Sequence, residues 1–377
     1  MKKNLLINAS RVGRNTTGVA SFTQCFIEQC IKSFKHIDLF LSAGQENIYS
    51  VPALIAPKWF SISKVSSRLR PIFWLIYATP ILLKGKRNVL STTHHVVPYL
   101  KHQVITIHDM RLYFLPDTYL QKFYFHNFLP FFILSLDGIL TVSETSKIMI
   151  SKIYNYPLDK IYVVPNSLDV SRFYPRRSDN LSTHTFPYFL IVGASWHHKN
   201  AHEFLEHSDL WSDQYRLKII ASPGPYKDSL RHLVNRKRID HKVDFLSRLE
   251  EEGLLVLYQQ ASALIYPSIM EGFGIPPLEA MACGVPTIVS NIDVFREVYG
   301  NSSIYVELGS RKSWVQALDT LKDSKLVAEK IKLGFLKVQE YSKERMQREV
   351  VRAIRSIWPE IELKSQNTNP TSYLYDQ

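Results

Sequence analysis

Cysteine is scarce. Cys25, Cys30 and Cys283 are the only three in 377 residues, they make no metal-ligand set, and any disulfide scheme leaves one over. This excludes a disulfide-stapled secreted scaffold and a cysteine-based zinc module, and fits thiols buried in a reducing compartment. His94 and His95 have no third ligand at sensible spacing for zinc. No Asp-x-Asp occurs anywhere, so paired acidic ligands for a divalent cation are not suggested. An uninterrupted apolar run able to span a bilayer is also missing. The stretch PIFWLIYATPILL (71–83) falls well short of the ~20 residues required and holds two prolines. The longer stretch 123–142 is broken by His126, Asn127, Pro130 and Asp137, and reads as a helix followed by a buried strand. The opening MKKNLLINAS has too brief an apolar run for a signal peptide and reads as a first strand. No internal repeat is evident.

What is present is ordinary globular usage, 45% hydrophobic and 21% charged, in a length that suits two domains. The net charge of +12 is not evenly spread: residues 1–180 carry all of it and residues 181–377 balance to zero. Such asymmetry turns one domain toward an anionic partner. Arg68, Arg70, Lys84, Lys86 and Arg87 flank the apolar 71–83 stretch, as in helices that lie in a membrane interface, although a buried helix with solvated ends fits equally.

Short β-rich runs alternate with helical stretches, which predicts parallel α/β layers. The expected strands of the first half are 4–7, 38–41, 88–91, 103–107, 138–142 and 160–164. A polar, proline-bounded stretch (PRRSDNLSTHTFP) then reads as a linker within 174–187. The alternation restarts with strands at 188–192, 216–221, 243–246, 263–266, 286–289 and 304–306. Residues 326–357 read as helical, and the polar end KSQNTNPTSYLYDQ as loose. The expected division is therefore 1–173, a linker 174–187, 188–345, and a helix and tail 346–377.

Chemistry concentrates in YPSIMEGFGIPPLEAMACGVPTIVSN (266–291). A strand ends at Tyr266, and the next loop carries Glu271, Gly272, Phe273 and Gly274. Pro276 and Pro277 open a short helix and Gly284 closes it. Ligands of open parallel sheets bind beyond the carboxyl ends of strands. Glycines admit close backbone approach, and a helix start favours phosphate. Glu271 and Glu279 can accept hydrogen bonds from a hydroxyl-rich ligand.

This segment resembles the Glu–seven residues–Glu signature of retaining glycosyltransferase family four, whose members have the GT-B fold of two doubly wound Rossmann-like domains facing a central cleft. Further matches follow in order over roughly residues 4–310. TGVASF, with Gly18, resembles the glycine loop of the first domain, and ITIHDMRLYFLPD resembles the strand ending in His108-Asp109. GILTVSETSK resembles a strand-to-helix turn with Ser143 and Ser146, which read as helix caps. VVPNSLD resembles the stretch before the linker, with Ser167 where glycine is usual. VGASWHHKN resembles the second phosphate loop, with Gly193 and Lys199. Many family members carry a basic residue where Ala194 stands, so that contact is missing or comes from His197 or His198.

The resemblance implies a nucleotide-sugar bound mainly by the second domain. Glu279 would meet the ribose hydroxyls, and Glu271 the sugar, helped by the amides of Gly272, Phe273 and Gly274. Lys199 would neutralise the diphosphate, Gly18 would close from the other domain, and His108 would sit near the sugar and the acceptor oxygen. No metal or other cofactor is expected. The expected activity is transfer of a hexose, with a lean to mannose, from a GDP- or UDP-sugar to a lipid-linked glycan of bacterial surface polysaccharide. The expected location is cytoplasmic, with peripheral, salt-sensitive binding to the anionic inner leaflet. Nucleic acid is not an expected partner, since no recognisable module is present. The alternatives are a sugar-nucleotide-binding protein without transfer activity, and a hydrolase using Glu271 and Glu279 as an acid/base pair.

Overall fold

The computed structural model describes residues 4–12, 18–45, 48–57, 70–84, 87–176, 186–247 and 249–364. Thr17, Arg68, Lys86, most of the linker stretch and the polar end from 365 lie outside the described residues.

Among the described residues thirteen strands form two sheets. In chain order they are β1 (Leu5–Ala9), β2 (Ile37–Leu41), β3 (Ala53–Ile55), β4 (Asn88–Ser91), β5 (Gln103–Thr106), β6 (Gly138–Thr141) and β7 (Ile161–Val163). The second set comprises β8 (Tyr188–Val192), β9 (Arg216–Ile220), β10 (Val243–Leu246), β11 (Ala263–Tyr266), β12 (Thr287–Ser290) and β13 (Ile304–Val306). The first sheet has the order β3-β2-β1-β4-β5-β6-β7 and the second β10-β9-β8-β11-β12-β13. Every pairing with a resolved register is parallel, as in Leu5↔Ile37 and Leu264↔Leu190. Helices connect most successive strands, though not β2 to β3 or β4 to β5, and both sheets are doubly wound, as the alternation predicts. Central strands such as β1 and β11 are buried along their whole length, which is why LLINA and ALIY read as mostly apolar.

By compactness the chain divides into two units. The first is Met1–Thr106, Ser135–Ile139 and Gln347–Gln377; the second is Ile107–Leu134 and Leu140–Met346. In the first unit the chain's last described stretch packs back on earlier elements. Trp358 Nε1 donates to Asp137 Oδ2 at 2.6 Å, Asn88 Nδ2 donates to Glu360 Oε1 at 3.2 Å, and Lys364 N donates to Ser33 O at 2.8 Å.

Several elements differ from expectation in detail. β3 was not expected: it is a three-residue edge strand with exposed or half-exposed side chains, so no apolar pattern announces it. The 71–83 stretch is the helix Arg70–Leu83, with Pro80 inside it. Trp74, Ala78 and Leu82 are buried with Leu6, Phe40 and Val89, so this face belongs to the core. The 123–142 region holds a π-helical turn, Tyr124–Phe128, before the helix Leu129–Ile133 and then β6. The 326–357 run is two helices, Ser324–Gln339 and Lys343–Ile357. Among the described residues no helix is long and apolar enough to cross a membrane.

The second unit's core collects Phe204, Trp211 and Trp314 around Phe189 and Ile265. Phe204 stacks on Trp211 with centroids 5.3 Å apart. Burying each such side chain stabilises the fold by roughly 1.5–3 kcal/mol. Trp314 keeps its indole N–H satisfied by Glu203 Oε1 at 2.9 Å.

Candidate active site

In the second sheet the strand order reverses between β8 and β11. That switch point opens a crevice beyond the carboxyl ends of both strands. After β8 come Gly193 and a 3-10 turn, His197–Lys199; after β11 comes the loop that carries Glu271. Residues 72 positions apart therefore meet. Lys199 Nζ donates to Glu271 Oε1 at 2.6 Å and to Tyr266 Oη at 2.8 Å, and Tyr266 Oη donates to Glu271 Oε1 at 3.1 Å. Lys199 also sits 5.0 Å from the Tyr266 ring centroid. Burial opposes charge on Glu271, but the adjacent Lys199 ammonium outweighs it and holds the carboxyl below its ordinary value. Tyr266 is pushed well above its ordinary value by burial and by Glu271, so it stays a phenol and a donor.

The loop after Glu271 is shaped by two close approaches. A Cβ on Gly272 would lie 1.9 Å from His108 O and 2.9 Å from Asp109 Cβ. Gly272 O accepts from Ser143 Oγ at 2.8 Å, while Ser143 caps the helix Glu144–Tyr154 by accepting from Ser146 N. Gly274 has φ +93, and Tyr299 Oη donates to its carbonyl at 2.6 Å. The helix Ile275–Ala282 follows. Its prolines remove two N–H groups from the first turn, so the donors left are the amides of Gly272, Phe273, Gly274 and Ile275. Among the described residues none of these donates to a protein acceptor. Four amides that follow Glu271 in one loop are donors of the kind that bind anions at helix starts.

Glu279 lies in the first turns of the same helix and accepts from Tyr258 Oη at 2.6 Å. Burial raises its carboxyl, against the Tyr258 hydrogen bond and Arg172. The two glutamates thus differ: Glu271 is held charged by a cation, Glu279 is shifted toward protonation.

The glycine after β8 acts differently from those after β11. Gly193 has φ +78 and nothing within 4 Å of where a Cβ would be, and its N–H and that of Ala194 both donate to Ile220 O at 3.0 Å. It provides open space, not free donors. His198 is buried, and burial together with Lys199 and Arg111 lowers it to about 4, although Glu271 pulls the other way. His197 instead faces His202 and Tyr226, at 4.8 and 5.4 Å between centroids. His108 is half-buried with its carbonyl against Gly272. Gly18 lies in the other unit, exposed at the start of the helix Gly18–Ser33.

Sequence reasoning missed Tyr258, Tyr266, Asp109 and Arg111. Burial raises the Asp109 carboxyl, which also feels Glu271 and Lys199. Arg111 clamps Asp117 through two bonds of 3.0 and 3.1 Å and lies 5.8 Å over the Trp196 ring. It supplies positive charge near His198 despite Ala194. The motif ITIHDMRLYFLPD was its available signal.

The neutral state of His198 has a stability consequence. Between pH 6.5 and about 4 the unfolded chain binds a proton that folded His198 refuses, so its contribution is full above 6.5 and lost as pH falls. Urea midpoints of wild type and His198→Asn at pH 7 and pH 5 should show a shallower acid loss in the variant. Identical losses would contradict this assignment.

A family model described as glycosyl transferases group 1 matches residues 175–333. The chain is 38% identical to the O-antigen chain mannosyltransferase RfbU of Salmonella typhimurium, over 84% of this chain and 91% of that protein. It is 32% identical to O-antigen chain mannosyltransferase B of Escherichia coli, over 55% of this chain and 59% of that one. Among solved structures, sucrose-phosphate synthase from Thermosynechococcus elongatus superposes with a TM-score of 0.77 at 15% identity, covering 95% of this chain and all of that one.

Proposed function

The chain belongs to the glycosyl transferases group 1 family and has the GT-B fold, and on that premise we propose a retaining, metal-independent transfer of mannose from GDP-mannose to a lipid-linked glycan of a bacterial O-antigen. The observation that carries this reading is the Lys199–Glu271 pair set beside four unengaged amides at the β8/β11 switch point. The mannose lean rests on the two mannosyltransferase relatives.

The chemistry follows from where charge develops. As the bond from the anomeric carbon to the diphosphate oxygen breaks, negative charge grows on the leaving group. Lys199 and the loop amides are already oriented there, so little reorganisation opposes them. The acceptor hydroxyl attacks the same face, its oxygen bonds to the anomeric carbon, and its proton passes to the leaving phosphate. No protein nucleophile is needed, and Lys199 supplies the positive charge a cation would bring. Glu271, held as a carboxylate, accepts hydrogen bonds from the sugar; Glu279 meets the ribose hydroxyls. His108 adjoins the sugar and the acceptor oxygen. The acceptor's carrier places the work at an anionic membrane surface, which the charge of residues 1–180 favours at about 1 kcal/mol per surface cation.

Calorimetry against GDP-, UDP-, ADP- and dTDP-sugars tests the donor assignment. GDP-mannose should bind at least ~10-fold more tightly than the others, a difference of about 1.4 kcal/mol. Absence of binding by every nucleotide sugar would overturn the reading.

A further inference from the structure

The first sheet has a switch point of its own. From β1 the chain runs outward to β2 and β3, then returns with β4 on the other side of β1. The carboxyl ends of β1 and β4 therefore flank a second crevice of the kind that receives ligands. Its residues belong to the first unit, whereas Lys199 and Glu271 belong to the second.

The floor of this crevice is a connected polar network. Asn8 Nδ2 donates to Ser91 Oγ at 3.0 Å, Ser10 Oγ donates to Asn8 Oδ1 at 2.7 Å, and Trp74 Nε1 donates to Ser10 Oγ at 2.9 Å. Such a network holds both strand ends in one geometry. On it stand three basic side chains, all half-buried: Arg11 just after β1, and His94 and His95 just after β4. The imidazoles stack with centroids 4.3 Å apart, and Thr93 Oγ1 fixes one of them at 3.0 Å from His95 Nδ1. Burial, then Arg11 and His94, disfavour a proton on His95. A bound anion beside Arg11 would favour the protonated form of these imidazoles.

The sequence around them makes the field one-signed. No aspartate or glutamate occurs in residues 1–27 or in residues 47–108. Strand β1, the helix Arg70–Leu83, strand β4 and the segment joining it to β5 therefore carry no acidic side chain, while residues 47–108 hold eight lysines and arginines. At the far end of the β4–β5 segment, Tyr99 is exposed and has φ +62. A non-glycine residue there is strained, and such strain collects at ligand sites.

We propose that Arg11, His94 and His95 form a phosphate-binding subsite that holds the diphosphate of a lipid-linked acceptor. The guanidinium fork matches phosphate oxygens in pairs, and an imidazole N–H adds a further donor. This inference rests on the glycosyltransferase reading above and names the group by which its acceptor is recognised.

The test is calorimetry on the full chain saturated with the nucleoside diphosphate that binds best, using farnesyl diphosphate, farnesol and inorganic diphosphate as probes. Farnesyl diphosphate should bind wild type, farnesol should not, and inorganic diphosphate should bind more weakly than the lipid. Arg11→Gln and His94→Gln should each weaken farnesyl diphosphate roughly 10- to 100-fold with nucleotide affinity unchanged. Arg11→Lys should recover part of the loss, which separates charge from a folding defect. Unaltered lipid affinity in both glutamine variants, or farnesol binding as well as its diphosphate, would overturn the proposal. Equal affinity for inorganic and farnesyl diphosphate would assign the site to a free anion and overturn it too. Failure of wild type to bind any nucleotide sugar would instead refute the glycosyltransferase reading itself.

Discussion

Lys199→Ala lowers kcat/KM by about 10²–10³-fold, the cost of removing one oriented charge donor from a developing oxyanion. Lys199 is the cation nearest Glu271, at 2.6 Å, and the two are coupled. Its loss therefore has a second effect. Burial already opposes charge on Glu271, and Lys199 is the largest influence favouring the carboxylate. In the variant Glu271 takes up its proton at higher pH, so the acid limb of the pH–rate profile moves upward. Initial rates across pH, with unfolding midpoints to show that the variant is folded, read both effects together. A folded variant with a wild-type rate and an unmoved acid limb would mean that Lys199 is a solvated surface lysine.

Gly272→Ala destabilises the fold by about 3 kcal/mol, at the upper end for overpacking. Its new Cβ would stand 1.9 Å from His108 O and 2.9 Å from the carbon of the same carbonyl, which is backbone and cannot rotate aside. Gly193→Ala is the internal control. There the added methyl meets nothing within 4 Å, and only the φ of +78 is strained, for about 1–2 kcal/mol. Denaturant midpoints should rank wild type above Gly193→Ala and Gly193→Ala above Gly272→Ala. Activity should collapse in the Gly272 variant because the displaced loop carries Glu271 and the anion-binding amides. Equal stability of the two variants would contradict the close approach of this loop to His108.

Much of the site is legible because its signals are local. A strand ending at Tyr266, glycines after Glu271 and prolines opening a helix together specify a loop at a strand's carboxyl end within twelve residues. The strands β8, β10, β11 and β13 fall where apolar runs place them. Partners that arise only on folding are not legible. Tyr258 reaches Glu279 from 21 positions away, and Lys199 reaches Tyr266 from 67. His198 reads like its neighbour His197, yet one is buried and the other exposed, and it is the His198 carbonyl that accepts from Ile269 N at 2.8 Å, 71 positions away. Nor does any local pattern announce that the chain's end rejoins the first unit through Trp358 and Asp137.

The basic excess of residues 1–180 also takes on a more definite form. Part of it gathers at one crevice, where Arg11 follows β1 and two stacked histidines follow β4. Both sheets thus direct positive charge to their own switch points, one through Lys199 and loop amides, the other through Arg11.

The most direct test of the central claim is the transfer reaction itself. GDP-mannose and a lipid-diphosphate glycan, incubated with wild type and with Glu271→Gln, are resolved by mass spectrometry of the lipid product. Wild type should yield the lipid enlarged by one hexose together with GDP, and Glu271→Gln should yield at least ~100-fold less, in line with loss of a group that acts at the reacting sugar. Equal product from both proteins would contradict the claim that transfer occurs at the Lys199–Glu271 centre.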